Sequence, residues 1–293
     1  MLDVLISLLP VVLMSLYVFR GYAAKQIGIC LISCLAAEAL FVKIRNKPMS
    51  LMDFSALVTA VILAMSLPGT APWYVGVIAS FVAIGIGKIV FGGLGMNIFN
   101  PAMVGRAFVM IAFAGTMAAS GYERAGSLVD IITQATPMDA FKQSSVVASL
   151  PSLLWGLTNG SLGEVSAFSC ILGGLYLCIR RTASWEIPAG VVLAVLVIGG
   201  IDNLVSPETG WTVFHHLFGG ALLFGAFFIA TDPVTSPVTV KGKWIFGIGV
   251  GALVMVLRLF SGYPEGLMFA VLIMNAVTPL INQRTIPVPF GGV

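Results

Sequence analysis

The sequence predicts an all-α polytopic membrane protein of about ten transmembrane helices, and three observations carry that prediction. The first is composition. Of 293 residues, 58% are hydrophobic and only 9% charged, with a mean hydropathy of +1.03; a soluble domain carries roughly 25% charged residues. Too few charges remain to cover a water-facing surface, which disfavours a cytosolic enzyme, a nucleic-acid binder and a secreted disulfide scaffold together. The second is the recurrence of apolar runs of a length suited to a bilayer. The third is the alternation of basic residues between successive connections.

The apolar runs fall at about 4–19, 26–42, 53–67, 73–92, 102–119, 163–179, 187–205, 213–230, 243–260 and 266–282. Several are shorter than the roughly 20 residues that span a hydrocarbon core, which predicts broken or re-entrant helices among them. The first run has Asp3 where a signal peptide has a basic segment, and it leads directly into further runs. It is therefore expected to remain as a span.

Basic residues set the orientation. Lys43, Arg45 and Lys47 follow the second run, Arg180 and Arg181 the sixth, Lys241 and Lys243 the eighth, and Arg284 the tenth. The alternate connections hold Arg20, Lys25, Arg124 and Lys142, eight basic residues against four. Both termini are thus expected in the cytoplasm, and the 43-residue segment 120–162 outside it.

The halves look related. Lys88, Phe91, Gly93 and Gly95 in one connection resemble Arg258, Phe260, Gly262 and Gly266 in another, and Leu67-Pro68 with Trp73 echoes Asp232-Pro233 with Trp244. Five spans separate the copies, an odd number, so the second copy is expected upside down. The chain is read as a single membrane domain, 1–293: a first five-helix repeat, 1–119, an extracytoplasmic loop, 120–162, and a second five-helix repeat, 163–293. Such inverted repeats resemble folds that conduct urea or ammonium, with polar sites at the repeat interface.

Polar groups are scarce enough to be read one by one. Thr136 stands between small Ala135 and Pro137 in the long loop, where it reads as a helix N-cap or as an exposed hydroxyl available to chemistry. Asn97 and Asn100 precede Pro101; their spacing puts two amides on one helical face, as caps or as ligand contacts. Thr231, Asp232 and Thr235 lie among Pro233 and Pro237. Oxygen ligands at a helix break suit a cation, and a membrane-edge turn uses the same residues.

Glu38, Lys88, Arg106 and Arg258 are intramembrane charges, with Asp202 near a span end. Each must face protein or a cavity. Glu38 is a candidate to carry or gate an ion, or to pair with a partner subunit; Lys88 and Arg258 are candidates to snorkel or to hold a helix break. His215 and His216 open a span and read as interface residues. Cys30, Cys34, Cys170 and Cys178 all lie in apolar runs and read as packing residues, with no metal-ligand spacing.

Four blocks resemble one family. Thr133-Gln134-Ala135-Thr136-Pro137-Met138-Asp139-Ala140-Phe141-Lys142 resembles the flavinylation segment of the D subunits of Rnf complexes, the ion-translocating ferredoxin:NAD oxidoreductases. Residues 91–106, through Asn97, Asn100, Pro101 and Arg106, resemble that family's GGLGxNxFNPAMxG stretch, and 225–235 resemble its GAFFxxTDPVT. Residues 260–275 resemble its GGYPxGxxFAVLxxN.

The resemblance implies FMN joined to Thr136 through a phosphoester by a separate flavin transferase. Thr133, Gln134, Ala135, Asp139 and Lys142 would be the adjoining cofactor segment. Either Lys142 or Arg124 would offset the phosphodiester charge, unless each is simply solvated. It further implies a non-covalent riboflavin, for which Asn97 and Asn100 are the candidates; Gly92, Gly93 and Gly95 would let the backbone approach a flat ring.

The implied activity is membrane electron transfer coupled to Na⁺ or H⁺ translocation in a bacterial cytoplasmic (inner) membrane. Thr231, Asp232 and Glu38 would be the ion-pathway candidates. No dinucleotide motif or Fe–S cysteine run occurs in the chain, so it would act with partners: the A, B, C, E and G subunits of the Rnf complex, with membrane lipid around it and no nucleic acid. The alternatives are the B subunit of the sodium-translocating NADH:quinone reductase, which shares the blocks, and a flavin-free channel or transporter.

Overall fold

The computed structural model describes residues 1–46, 53–118, 121–122, 132–133, 136–144, 147–156, 158–164, 166–205, 210–261 and 266–287. These residues are dominated by helices, α1 to α14. The first half holds α1 (Leu2–Phe19), α2 (Gly21–Ile44), α3 (Ser55–Ser66), α4 (Trp73–Ile89), α5 (Pro101–Ala112) and α6 (Ala114–Ala118). The long loop carries α7 (Pro137–Ser144) and α8 (Leu150–Trp155). In the same loop Gly121–Tyr122 (β1) pairs antiparallel with Ile132–Thr133 (β2).

The second half holds α9 (Ala167–Ile179), α10 (Glu186–Val205), α11 (Val213–Phe218) and α12, which starts at Leu222–Phe224 and runs into a π turn, Gly225–Ile229. Then come α13 (Val240–Phe260) and α14 (Leu267–Thr285). The last turn of α4, Gly85–Ile89, is also a π turn. Among the described residues five helices, α1, α2, α10, α13 and α14, are long and apolar enough to cross a membrane.

The surface agrees with that reading. Ile111, Ile179, Leu204 and Phe260 are 74–83% exposed, an arrangement stable in lipid and costly in water. The interior holds small and polar residues instead, among them Ser7, Ser15, Gln26, Ser80 and Asn275, as expected where helices associate by close packing and internal hydrogen bonds. On α13, Gly247 and Gly251 lie one turn apart. A Cβ on them would sit 2.5 and 2.6 Å from the carbonyl oxygens of Ile187 and Val191, so only glycine lets α13 close onto α10.

In the first half α2 packs on α4 and α4 on α5; in the second, α10 packs on α13 and α13 on α14. The first helices of each half, α1 and α9, pack on each other. Asp3 holds the start of α1 to the end of α9, accepting from Thr182 and Tyr176 (both 3.3 Å) and lying 3.5 Å from Arg180.

Two apolar runs are interrupted. The run 102–119 breaks at Phe113 between α5 and α6, and 213–230 breaks at 219–221 between α11 and α12. The chain before α9 turns back inward. Pro68 bridges Ser161, Leu162 N–H donates to Leu67 (3.1 Å), and Gly163 N–H donates to Met65 (2.7 Å). Residues 158–164 thereby satisfy the carbonyls left open where α3 ends.

Candidate functional site

Thr136 lies at the head of α7. Its carbonyl accepts the Ala140 N–H (2.8 Å), and Pro137, which has no N–H to leave unsatisfied, occupies the first helical position. The helix is docked at two points, and the segment that follows it at a third. Phe141 stacks on Trp211 with centroids 4.4 Å apart, Lys142 Nζ donates to Ser261 O (2.8 Å), and Ala148 O accepts from His215 Nε2 (3.0 Å). Thr212 N–H donates to His215 Nδ1 (3.0 Å), so that nitrogen is the acceptor and Nε2 carries the proton. His215 thus ties the start of α11 to the loop, whereas His216 Nε2 lies 3.5 Å from Asp202 of α10.

Beside Thr136 is a small cavity lined also by Met138, Asn159, Glu164 and Gly220. The Glu164 side chain is 5% exposed and faces Arg106 Nη2 at 3.5 Å, and Ser161 Oγ accepts from the same nitrogen (3.3 Å). Arg106 projects from the second turn of α5. Asn159 is 7% exposed, and its Oδ1 has no partner among the described residues. Glu164 and Asn159 were not singled out in the sequence. The only signal for Glu164 was the need of buried Arg106 for an anion, and the two are 58 residues apart.

Lys142 sits six residues beyond Thr136 along α7, about 9 Å by helical rise, with its ammonium on Ser261. Gln134, Ala135 and Arg124 lie outside the described residues, as do the side chains of Thr133 and Asp139.

A second, larger cavity of ≈ 200 Å³ opens near the start of α1, and Asn97, Asn100, Lys88, Thr231 and Asp232 all line it. Asn97 and Asn100 do not share a helical face as their spacing suggested: residues 97–100 are non-helical. Gly92, Gly93 and Gly95 have φ of 129°, 111° and 87°, a left-handed backbone that carries the chain out of α4 before α5 can start. Asn100 Oδ1 caps α5, accepting from Ala102 N (3.1 Å) and Met103 N (3.3 Å). Its Nδ2 donates to Ile229 O (3.4 Å), a carbonyl at the end of the π turn, and its backbone N–H donates to Asn275 Oδ1 (3.1 Å). Asn97 Nδ2 donates to Phe99 O (3.3 Å).

In the connection after α12, Asp232 accepts from Thr235 Oγ1 (3.1 Å) and Val234 N (3.3 Å). Burial pushes its carboxyl above the ordinary carboxylate value, and those two donors partly offset the push. Thr231 Oγ1 donates back to Phe227 O (2.6 Å).

Glu38 pairs inside the chain rather than with a partner subunit: Lys88 Nζ lies 2.6 Å from Glu38 Oε1 and donates to Ser55 Oγ at 2.6 Å. Arg258 likewise points inward. It donates to His216 O and to Gly219 O (2.8 Å), which holds the α11–α12 break and excludes snorkelling for this residue. The four cysteines are unpaired, and no cluster of metal-ligating side chains occurs among the described residues.

An apolar outer belt around helices that keep charges and amides inside defines a multi-pass helical membrane protein, with two cavities that those polar side chains help to line. The chain belongs to the NQR2, RnfD, RnfE family, which matches residues 1–291. It is 41% identical to the D subunit of the Na(+)-translocating ferredoxin:NAD(+) oxidoreductase complex of Acetobacterium woodii, over 97% of this chain and 88% of that one. It is 40% identical to the D subunit of the proton-translocating ferredoxin:NAD(+) oxidoreductase complex of Clostridium ljungdahlii, over 99% and 91%. With the D subunit of the ion-translocating oxidoreductase complex of Stutzerimonas stutzeri it shares 39% identity, over 99% and 91%.

Proposed function

We propose that this chain is the flavin-bearing membrane component of a complex that couples electron transfer between ferredoxin and NAD to translocation of Na⁺ or H⁺. FMN is esterified through its phosphate to Thr136, and riboflavin is held without a covalent bond by Asn97 and Asn100. The flavins supply the electron-carrying chemistry. The rest of the complex, its A, B, C, E and G subunits, supplies the ferredoxin and NAD sites, and a flavin transferase forms the ester. The chain is not an enzyme alone; it is one part of a translocating oxidoreductase in a bacterial cytoplasmic membrane, with cytoplasmic termini and Thr136 on the outer side.

The observation that carries the reading is the setting of Thr136. A hydroxyl at the head of a helix is where a phosphodiester is well accommodated, because the first-turn N–H groups that follow Pro137 have no acceptor within the helix and the dipole favours its charge. The pocket beside it is lined by the Asn159 amide and by Glu164, whose charge is balanced by Arg106 behind it. An ester through the phosphate leaves the ring system free of the chain, and the docking of α7 on Trp211 and Ser261 fixes where that ester stands.

The second cavity offers donors and acceptors of the kind a riboflavin edge requires: the Asn97 amide, the Lys88 ammonium and the Asp232 carboxyl. Its ≈ 200 Å³ falls below the roughly 300–1,000 Å³ of ligand pockets, so it encloses part of the molecule. Thr231 and Asp232 border this cavity and Glu38 meets it through Lys88, which supports them as ion-pathway residues adjoining a flavin. The matched packing of α2–α4–α5 and α10–α13–α14 supports two inverted five-helix repeats, residues 1–119 and 163–293.

Peptide mapping of protein produced with the transferase tests the proposal. The peptide containing 133–142 should carry the mass of FMN, less water, on Thr136. An unmodified peptide, with a control substrate modified by the same transferase, would refute it.

A further inference from the structure

A third cavity, unrelated to either flavin site, lies on the outer surface between α2 and α4. It is an open groove of ≈ 520 Å³ walled by Phe41, Phe81, Val82, Ile86 and Val90, and Arg45 stands at one end. Phe41, in the last turn of α2, and Arg45, which caps that helix, are one turn apart on the same side. The π turn Gly85–Ile89 supplies Gly85, Ile86 and Ile89 to the groove's wall. A Cβ on Gly85 would come within 2.8 Å of the Phe41 ring; without one, the ring lies down against α4. Arg45 Nη1 donates to the carbonyl of Ile89, the last residue of that turn, which fixes the guanidinium at the groove's mouth. Ile86 and Val90 are 51% and 68% exposed, so the trough faces the surrounding hydrocarbon.

We propose that this groove seats an acyl chain of an anionic phospholipid whose phosphate is bound by Arg45. Charge complementarity selects that occupant. An apolar trough ending in a fixed guanidinium matches a chain ending in a phosphate. Lys43, Arg45 and Lys47 form the most basic connection in the chain, on the side where anionic lipids concentrate and where basic pockets between transmembrane helices bind lipid headgroups. A zwitterionic lipid fills the trough equally well but brings its own cation to Arg45, so the site discriminates by headgroup.

Two measurements test this. In native mass spectrometry of the full chain, released from micelles containing equal phosphatidylglycerol and phosphatidylethanolamine, phosphatidylglycerol adducts should predominate about tenfold. Arg45→Gln should abolish the preference. Ile86→Trp, which fills the trough without touching Arg45, should remove the adduct itself, while Lys25→Gln changes neither. Equal retention of the two lipids, or a preference unchanged in Arg45→Gln and Ile86→Trp, would overturn the proposal. In the assembled complex, a benzophenone amino acid at position 86 should cross-link to lipid. A cross-link to another protein of the complex would show the groove to be a protein interface and also overturn it.

Discussion

Removing Lys88 should destabilise the protein more than any exposed charge would. Its ammonium is 2.6 Å from Glu38 Oε1, and both side chains are at most 4% exposed. At that distance the gross attraction is roughly 6 kcal/mol for an effective dielectric of about 20. Most of it offsets the cost of dehydrating two ions, so the pair adds little net stability. Breaking it is another matter, because an uncompensated charge is left inside, at a cost of about 3–5 kcal/mol.

Lys88→Met or Glu38→Leu alone should therefore lower the unfolding temperature by roughly 6–10 °C, taking about 2 °C per kcal/mol for a chain of this size. The double variant should recover most of the loss, since an apolar pair of similar volume is neutral or better in such a place. Tryptophan fluorescence of the purified protein during heating reads this directly. Single variants with unchanged midpoints, or a double variant whose loss is the sum of the two, would refute the claim that these residues compensate each other.

Asn100→Ala removes the α5 cap and the bond to Ile229, costing about 1 kcal/mol for the cap. It should also lower the flavin released on denaturation, whereas Asn100→Asp keeps the cap and separates the two effects. Gly251→Leu drives a side chain into the Val191 carbonyl and should abolish a monodisperse peak in size-exclusion chromatography; Gly251→Ala should be milder. His215→Ala breaks the bond to Ala148, worth about 1 kcal/mol, and should speed proteolysis within 120–162 by roughly fivefold.

The long helices were legible because hydropathy alone sets them: α1, α10, α13 and α14 begin and end within three residues of the runs that predicted them. That some helices would break was legible in the short runs; where they break was not, because what stabilises the breaks is remote. The α11–α12 break is held by Arg258, 39 residues from Gly219, and the end of α3 is completed by residues 161–163. Asn97 and Asn100 were read as helical from spacing, yet three left-handed glycines place them in a turn. The pattern did pick residues that line one cavity, because amides are rare in such a chain and must face one another or a ligand. Glu164 was hidden in a polar loop, where nothing local marks a carboxylate as enclosed.

The central claim is the flavin on Thr136, and fluorescence of the denatured protein band tests it most directly. Wild type and Thr136→Ala should be produced side by side with the flavin transferase. Denaturation strips any flavin that is not covalently held, so a fluorescent wild-type band beside a dark Thr136→Ala band is the predicted result. A dark wild-type band, with a control substrate labelled by the same transferase, or a Thr136→Ala band as bright as wild type, would contradict the account.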